Sequence, residues 1–405
     1  MAISSFTPSV SGIEAQAQAL NTVSTNIANV STVGYRSVET MFKTLLGHTP
    51  STGNTKVGIS SSRVGINGVT AYDRTLITQQ GSVSPTGNNF DVALNHPNAF
   101  FMVEDSAGDV YYTRAGNFST RVQDGEIYLI ANNGYNVDGF AASGDGFAGA
   151  PSKIIINTPD VLPSKPTSQI SIKANVPASG VDSASYAFQV YGANNDGKLA
   201  NMQFHKDENE SNVWQVTFSM PGGEVIAEPV EVVFDNMGKL VSPRTISIKT
   251  IADNGDVNDI TIDISEMTQY AGNDIVLDIS QDGRPSTSLS RTFINNYGVV
   301  QGEYADGTRV NIAKLAVVGF ESPENLIQYN GTMFEVSNDV GESHYVIGPD
   351  TESLDVLTAQ AVESSPVNLE AEFSDLIIVQ RAYTLNTTSF TTNNEMLQTA
   401  VNILS

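Results

Sequence analysis

The side chains that most often carry out chemistry are few and scattered in this sequence. Its four histidines lack the H-x-x-x-H or H-E-x-x-H spacing of zinc sites; they are His48, His96, His205 and His344. There is no cysteine, which excludes disulfides, thiolate metal ligands and thiol nucleophiles. The segments DNGDVND from Asp253 and ANNDGK from Ala193 lack calcium-loop spacing and are interpreted as hairpin turns. The sequence therefore predicts no metal, no cofactor and no catalytic residue.

Charge further narrows the possible partners. The formal net charge is −24, and such an acidic surface repels the phosphates of nucleic acid and of anionic lipid. No P-loop or G-x-S-x-G motif is present, and no apolar run approaches the ~20 residues that span a bilayer. A glycosidase-type carboxylate pair among the 44 acidic residues stays a remote alternative, because the sequence singles none out.

The elements that would position functional residues are helical at both ends of the chain. From Thr7 to Val30, apolar residues recur at alternating steps of three and four, which places them on one helical face. Ser24 is the polar member of this series. The residues predicted to pack in a helical core are Val10, Ile13, Leu20 and Ile27.

The C-terminal end shows a stronger, seven-residue repeat. One position of the repeat is apolar or aromatic throughout, at Leu369, Leu376, Tyr383, Phe390, Leu397 and Leu404. The companion position runs from Phe373 to Val401, and its middle members are polar: Gln380, Thr387 and Asn394. This pattern predicts a coiled-coil-type seam with a polar central stretch that fixes register at a cost in stability.

Two terminal helices alone bury too little apolar surface to balance their ordering entropy comfortably. The middle of the chain is predicted to form β-domains with cores of their own, so these offer the helices no necessary partner. Packing against copies of the same helices would bury far more surface. The sequence therefore predicts helices that order in a homopolymer.

The domain organisation is predicted to be nested and mainly β, with α-helical termini. Short strand patterns such as SQISIKANV and DITIDIS, separated by Gly, Asn, Asp and Pro, indicate sandwiches or barrels. Residues 1–33 and 366–405 are assigned to a coiled-coil-like helical domain, and 34–74 to a connector. Residues 75–144 and 286–365 are assigned to a split β-domain, and 145–285 to an inserted β-sandwich or barrel-like domain.

The stretch NIANVSTVGYR, residues 26–36, lies where the first helix ends. Asn29 can cap that helix, and Gly34 can adopt the left-handed conformation. The expected hinge between the helical domain and the connector comprises Asn26, Asn29, Gly34 and Tyr35.

Several motifs resemble those of the axial proteins of the bacterial flagellum, and within that family those of hook subunits. They are NIAN followed by Gly34-Tyr35, QGSVSPTGNNFDVAL (80–94), YYTRAGNFS (111–119) and QRAYTLNTTSFTTNNEMLQTAVNIL (380–404). Hook-like segments also occur at 187–218 and 301–326. Residues 365–369, SPVNL, depart from the usual SNVDL, and NHPNAFF (95–101) lacks the usual glycine pair.

The resemblance implies a structural, nonenzymatic subunit of an extracellular curved tube that transmits torque. Its implied partners are copies of itself, the rod, hook-cap and hook–filament junction proteins, and the flagellar type III export apparatus. Export by that route would need no cleaved signal peptide. Neither nucleic acid binding nor membrane insertion is expected. A distal rod subunit with the same fold is the near alternative, and a secreted β-rich adhesin is an alternative of another class.

Overall fold

The computed structural model describes residues 6–48, 64–144, 146–192, 197–207, 210, 212–221, 223–252, 257–272, 275–351 and 355–404. The predicted turns at 193–196 and 253–256, and the connector segment 49–63, lie outside the described residues. The chain is mainly β with one long helix near each end, which confirms that part of the prediction. It divides into two compact units: Met1–Thr158, Thr292–Gly302 and Arg309–Ser405 form the first, and Pro159–Arg291 and Glu303–Thr308 form the second.

The first unit contains both long helices, α1 (Thr7–Ala28) and α2 (Leu369–Leu404). Its strands before the second unit are β1 (Val38–His48), β2 (Val64–Thr75), β3 (Val83–Pro85), β4 (Val92–Leu94), β5 (Ala99–Glu104), β6 (Val110–Thr113), β7 (Ser119–Gln123), β8 (Glu126–Ile130), β9 (Asn136–Ser143) and β10 (Gly146–Lys153).

The second unit contains β11 (Val161–Leu162), β12 (Gln169–Pro177), β13 (Ser183–Tyr191), β14 (Gly197–Lys206), β15 (Val213–Ser219), β16 (Gly223–Ile226), β17 (Val230–Phe234), β18 (Leu240–Ser242), β19 (Thr245–Ala252), β20 (Val257–Asp263), β21 (Thr268–Tyr270) and β22 (Ile275–Gln281). Two strands have residues in both units, β23 (Thr287–Ile294) and β24 (Val299–Tyr304). The first unit then continues with β25 (Arg309–Leu315), β26 (Val317–Phe320), β27 (Ile327–Gln328), β28 (Met333–Glu335), β29 (Ser343–Ile347), β30 (Leu357–Ala359) and β31 (Ala361–Glu363).

The β-core of the first unit is built around β5, which pairs with β6, β9 and β26. Side chains from these strands share one apolar cluster, whose members include Phe101, Val103, Val137 and Val317. The last two strands pair with early strands, β31 with β3 and β30 with β4. This pairing brings the chain segment before α2 next to the segment that follows β2.

The second unit has two sheets around one core. In β12 and β13 alternate side chains are buried, as expected for strands with one face on a core. One sheet has the order β13-β14-β15-β17-β18, and the other the order β16-β19-β20-β12-β21, with β22 also on β12. Both sheets contribute to a single cluster that includes Trp214, Phe204, Ile172 and Ile262.

In the first unit, α1 packs against α2 and against the hairpin formed by β1 and β2. Thr7 is the first residue of α1 and Phe6 occupies the cap position. α2 begins after Asn368, whose Oδ1 accepts the N–H groups of Glu370 and Ala371 at 3.0 and 3.3 Å. Along the hairpin, Thr22 of α1 and Thr40 of β1 both donate a hydrogen bond to Asp73 of β2.

Candidate functional site

A single asparagine joins the end of α1 to β1 and to α2. Asn26 is buried, and its Nδ2 donates to the Val38 carbonyl at 2.8 Å and to Glu372 Oε1 at 3.0 Å. Its Oδ1 accepts the Val38 N–H at 3.0 Å and the Tyr35 hydroxyl at 3.1 Å. Every polar atom of the Asn26 amide is therefore used, and its position fixes the end of α1.

Burial controls the protonation of the groups around Asn26. Burial, followed by the charge of Glu372, raises the pKa of Tyr35 to about 12, so the phenol remains a hydrogen-bond donor at neutral pH. Burial also raises the pKa of the Glu372 carboxyl. The hydrogen bond from Asn26 opposes this shift, and the charge of Asp375 adds to it.

The turn after α1 is held by its backbone. Asn29 caps the helix end, where its backbone N–H and its Nδ2 both donate to the Thr25 carbonyl, at 3.1 and 2.9 Å. Gly34 has φ +69°, which confirms the predicted left-handed conformation. A Cβ at Gly34 would lie 2.4 Å from the backbone nitrogen of Ala115, so only glycine fits this turn without displacing the adjoining backbone.

Directly after this turn lies a buried cluster of three charges. Glu363 binds Arg36 through Oε1 and Arg114 through Oε2, with both N···O distances at 2.7 Å, and all three side chains are fully buried. Arg114 also donates through Nε to Oε2 at 2.9 Å, and the Gly81 N–H donates to Oε1 at 3.0 Å. The carboxylate thus accepts four hydrogen bonds, from residues that precede it by at least 249 positions.

The cluster has two cations for one anion, and main-chain carbonyls solvate the excess charge. Arg36 Nε donates to the Ile77 carbonyl at 2.8 Å, and Arg114 Nη1 donates to the carbonyls of His96 and Ala99 at 2.8 and 2.7 Å. Burial lowers the pKa of Arg114 to about 10 and also lowers that of Arg36, while Glu363 opposes both shifts. Arg114 therefore remains charged at neutral pH, as does Arg36, since the guanidinium group of arginine is not deprotonated in proteins.

The two long helices meet along a line of small and aromatic side chains. Phe6 and Phe390 have ring centroids 5.3 Å apart. A Cβ added at Gly12 would lie 2.9 Å from Nδ2 of Asn386, so the absence of a side chain at Gly12 gives this asparagine its space. The face of α1 that is buried in the single chain consists of Ser9, Gly12, Ala15, Ala19, Thr22, Val23 and Asn26.

The apolar residues predicted on α1 lie mostly beside that buried face. Val10 is exposed, whereas Ile13, Leu20 and Ile27 are half-buried. These four residues are therefore only partly covered within one chain.

On α2 the structure separates the two predicted heptad positions. The first position is the less exposed one: Leu376, Phe390 and Leu397 are half-buried, while Leu369 and Tyr383 are slightly more exposed. The companion position is exposed at Phe373, Gln380, Asn394 and Val401 and half-buried at Thr387. The side chain of Leu404 lies outside the described residues.

The sequence did not identify the residues whose contacts hold the end of α1 and the turn after it in place. Arg36 ends the quoted 26–36 stretch, and Arg114 lies inside YYTRAGNFS, so both were present in recognised motifs without an assigned contact. Glu363 and Glu372 had no local signal, because their partners are remote in sequence. Among the described residues, no three histidine or acidic side chains gather closely enough to hold a metal ion. No described helix is long and apolar enough to cross a bilayer.

Four family descriptions match successive parts of the chain. Residues 9–36 match "Flagella basal body rod protein", and residues 97–183 match "Flagellar hook protein FlgE/F/G D1 domain". Residues 161–284 match "Flagellar basal body protein FlaE D2 domain", and residues 358–403 match "Flagellar basal body rod FlgEFG protein C-terminal". The first and last matches contain the helix ends that meet at Asn26 and Glu372.

Full-length relatives and a solved structure agree with these matches. The chain is 27% identical to the flagellar hook protein FlgE of Brucella suis, over 97% of both chains. It is 28% identical to that of Salmonella typhimurium, over 98% of this chain and 100% of the relative. The crystal structure of Helicobacter pylori flagellar hook protein FlgE2 shares the fold over 69% of this chain and 99% of that one, with a TM-score of 0.53 and 13% identity.

Proposed function

We propose how this chain assembles, from the premise that it belongs to the flagellar hook protein family and is a structural subunit of the hook. As a hook subunit it is a polymeric, exported, extracellular component of the flagellum. The proposal is that α1 and α2 form the coiled-coil-like inner layer of the tube and that the β-domains form the outer layers. The protein acts by assembling and transmitting torque rather than by catalysis.

The observation that carries this proposal is the apolar surface that α2 leaves uncovered. Ile377, Ile378 and Leu385 are 52, 62 and 71% exposed in the single chain. Full burial of such a side chain contributes about 1.5–3 kcal/mol. A helix with this surface buries the most apolar area by packing against other copies. The same holds for the predicted core residues of α1 and α2, which one chain covers only partly.

The proposed layers follow the nested order of the sequence. Residues 1–33 and 366–405 would form the inner layer, and 34–74 the connector. Residues 75–144 and 286–365 would form the middle domain, and 145–285 the outer one. Asn26, Asn29, Gly34 and Tyr35 would form the link between the inner and middle layers, and Gln380, Thr387 and Asn394 would set register between helices of different subunits.

The proposed specific partners are the rod at one end of the tube, and the hook cap and the hook–filament junction proteins at the other. The flagellar type III apparatus would export the subunit. Neither a nucleic acid nor a membrane-inserted state belongs to this proposal. A distal rod subunit is the near alternative, since two of the matching families carry rod in their description. Electron microscopy of assembled protein separates the two, because a rod polymer is straight and a hook polymer is curved.

A truncation tests the proposal. Deleting residues 366–405 should leave folded, soluble β-domains that do not polymerise. The full-length protein should form tubes when added salt screens its net charge of −24. In the free full-length monomer, amide hydrogens of α1 and α2 should exchange faster than those of β5 and β9. Normal tubes from the truncated chain would refute the role of the terminal helices.

A further inference from the structure

A cleft of about 500 Å³ lies beside the Asn26 junction, between α1, β1 and the first turns of α2. Ala19 and Val23 of α1 line it as buried residues. Phe42 of β1 and Ile378 of α2 also line it, and these two side chains are 47 and 62% exposed. The cleft is thus an apolar surface that one chain leaves open.

The same cleft contains acidic groups, and they are not equally neutralised. Glu39 of β1 forms an exposed pair with Arg74 at 3.4 Å, and Glu372 accepts the hydrogen bond from Asn26. Asp375 also lines the cleft, and among the described residues no cation pairs with it. A partner segment that fits this cleft would present apolar side chains and a cation.

One segment of this chain has that chemistry. Ile377, Arg381 and Leu385 are spaced four residues apart on α2, so they form one stripe along the helix. All three are exposed, and no described residue forms an ion pair with Arg381. Arg381 is also the one basic residue in the sequences of α1 and α2.

We propose that the Ile377–Arg381–Leu385 stripe of one subunit docks in the cleft of a second copy and places Arg381 opposite Asp375. The proposal rests on the assembly function above and assigns one contact within it. The pair cannot form within one chain, because Asp375 and Arg381 are six positions apart on α2, about 9 Å along the helix axis and about 120° around it. Since the stripe and the cleft are different surfaces, the contact is head-to-tail and can extend through a polymer.

Charge reversal tests the contact. Arg381→Glu and Asp375→Arg should each raise the critical concentration for assembly at least about tenfold, because each places like charges together. The double variant should return it to within about threefold of wild type. Glu370→Arg is the matched control, since Glu370 is exposed on the same helix outside the cleft and should have no such effect. Assembly is induced with polyethylene glycol at low ionic strength, so that salt does not screen the pair.

Cross-linking supplies a second readout, because the natural chain has no cysteine. In assembled protein, the Asp375→Cys/Arg381→Cys variant should give a ladder of disulfide-linked chains on a non-reducing gel. Glu370→Cys/Arg381→Cys should not. Three outcomes would each overturn the contact and leave the assembly function intact. They are tubes that give no ladder, normal assembly of Arg381→Glu, and a charge-reversed double variant that assembles as poorly as the single variants. Failure of the wild-type chain to form tubes in added salt as well as in polyethylene glycol would count against the assembly function itself.

Discussion

Replacing Glu363 by glutamine should strongly destabilise the first unit. The substitution keeps the shape of the side chain but removes the one carboxylate that faces Arg36 and Arg114, and all three side chains are fully buried. One of the two carboxylate oxygens becomes an amide nitrogen, which donates hydrogen bonds and cannot accept them from the arginine N–H groups.

The expected magnitude follows from the contacts that are lost. Hydrogen bonds to charged groups contribute about 1.5–3 kcal/mol each, and Arg114 donates two of them to Glu363 Oε2. Breaking a buried ion pair by removing one partner typically costs about 3–5 kcal/mol, because the remaining charge stays buried without its partner. We therefore expect Glu363→Gln to lower the free energy of unfolding of the first unit by about 3–5 kcal/mol.

The single tryptophan provides an internal control for this measurement. Trp214 is fully buried in the core of the second unit, so its fluorescence reports on that unit. Circular dichroism in urea should show an earlier transition for Glu363→Gln, whereas the Trp214 transition should not move. Glu39→Gln, which removes an exposed pair with Arg74, should cost less than about 1 kcal/mol. If Glu363→Gln lies within about 1 kcal/mol of wild type, the buried cluster does not stabilise the unit as argued.

Three further substitutions probe the first unit. Gly34→Val should lower the free energy of unfolding in urea by at least about 3 kcal/mol, because it combines a left-handed φ with a Cβ 2.4 Å from the backbone nitrogen of Ala115. Gly87→Val should lower it clearly less, since Gly87 has φ +76° but open space around it. Burial raises the pKa of Asp138 to about 7, so the folded protein holds this proton more tightly than the unfolded chain does. The free energy of unfolding of the wild type should therefore fall by up to about 4 kcal/mol as pH rises from about 4 to about 7. Asp138→Asn should lack this fall when its free energy of unfolding is measured across the same pH range. Gly12→Leu should raise the critical concentration for assembly, measured by sedimentation, because it fills the space used by its partner on α2; unchanged assembly would show that this contact is dispensable.

The sequence predicted the elements of this chain better than their contacts. Helical periodicity and β-patterns are local, so α1, α2 and the β-rich middle could be read directly. The left-handed Gly34 was also predictable, because glycine after a helix end is a local signal. The face of α1 that packs within the chain was not predictable from apolar spacing, since it is formed by small residues such as Gly12 and Ala19. The Glu363 cluster could not be predicted for a different reason: Glu363 meets Arg36 and Arg114 only after the late strands pair with the early ones.

The buried cluster also limits where an assembled tube can flex. Separating Glu363 from either arginine would cost about 3–5 kcal/mol, several times the thermal energy of about 0.6 kcal/mol. Asn26 adds four hydrogen bonds, two to Val38 of β1, one to Glu372 of α2 and one from the Tyr35 hydroxyl. We therefore infer that the predicted hinge residues form a fixed joint within each subunit. Bending of the tube would then occur by sliding between subunits, where exposed polar contacts exchange at low cost.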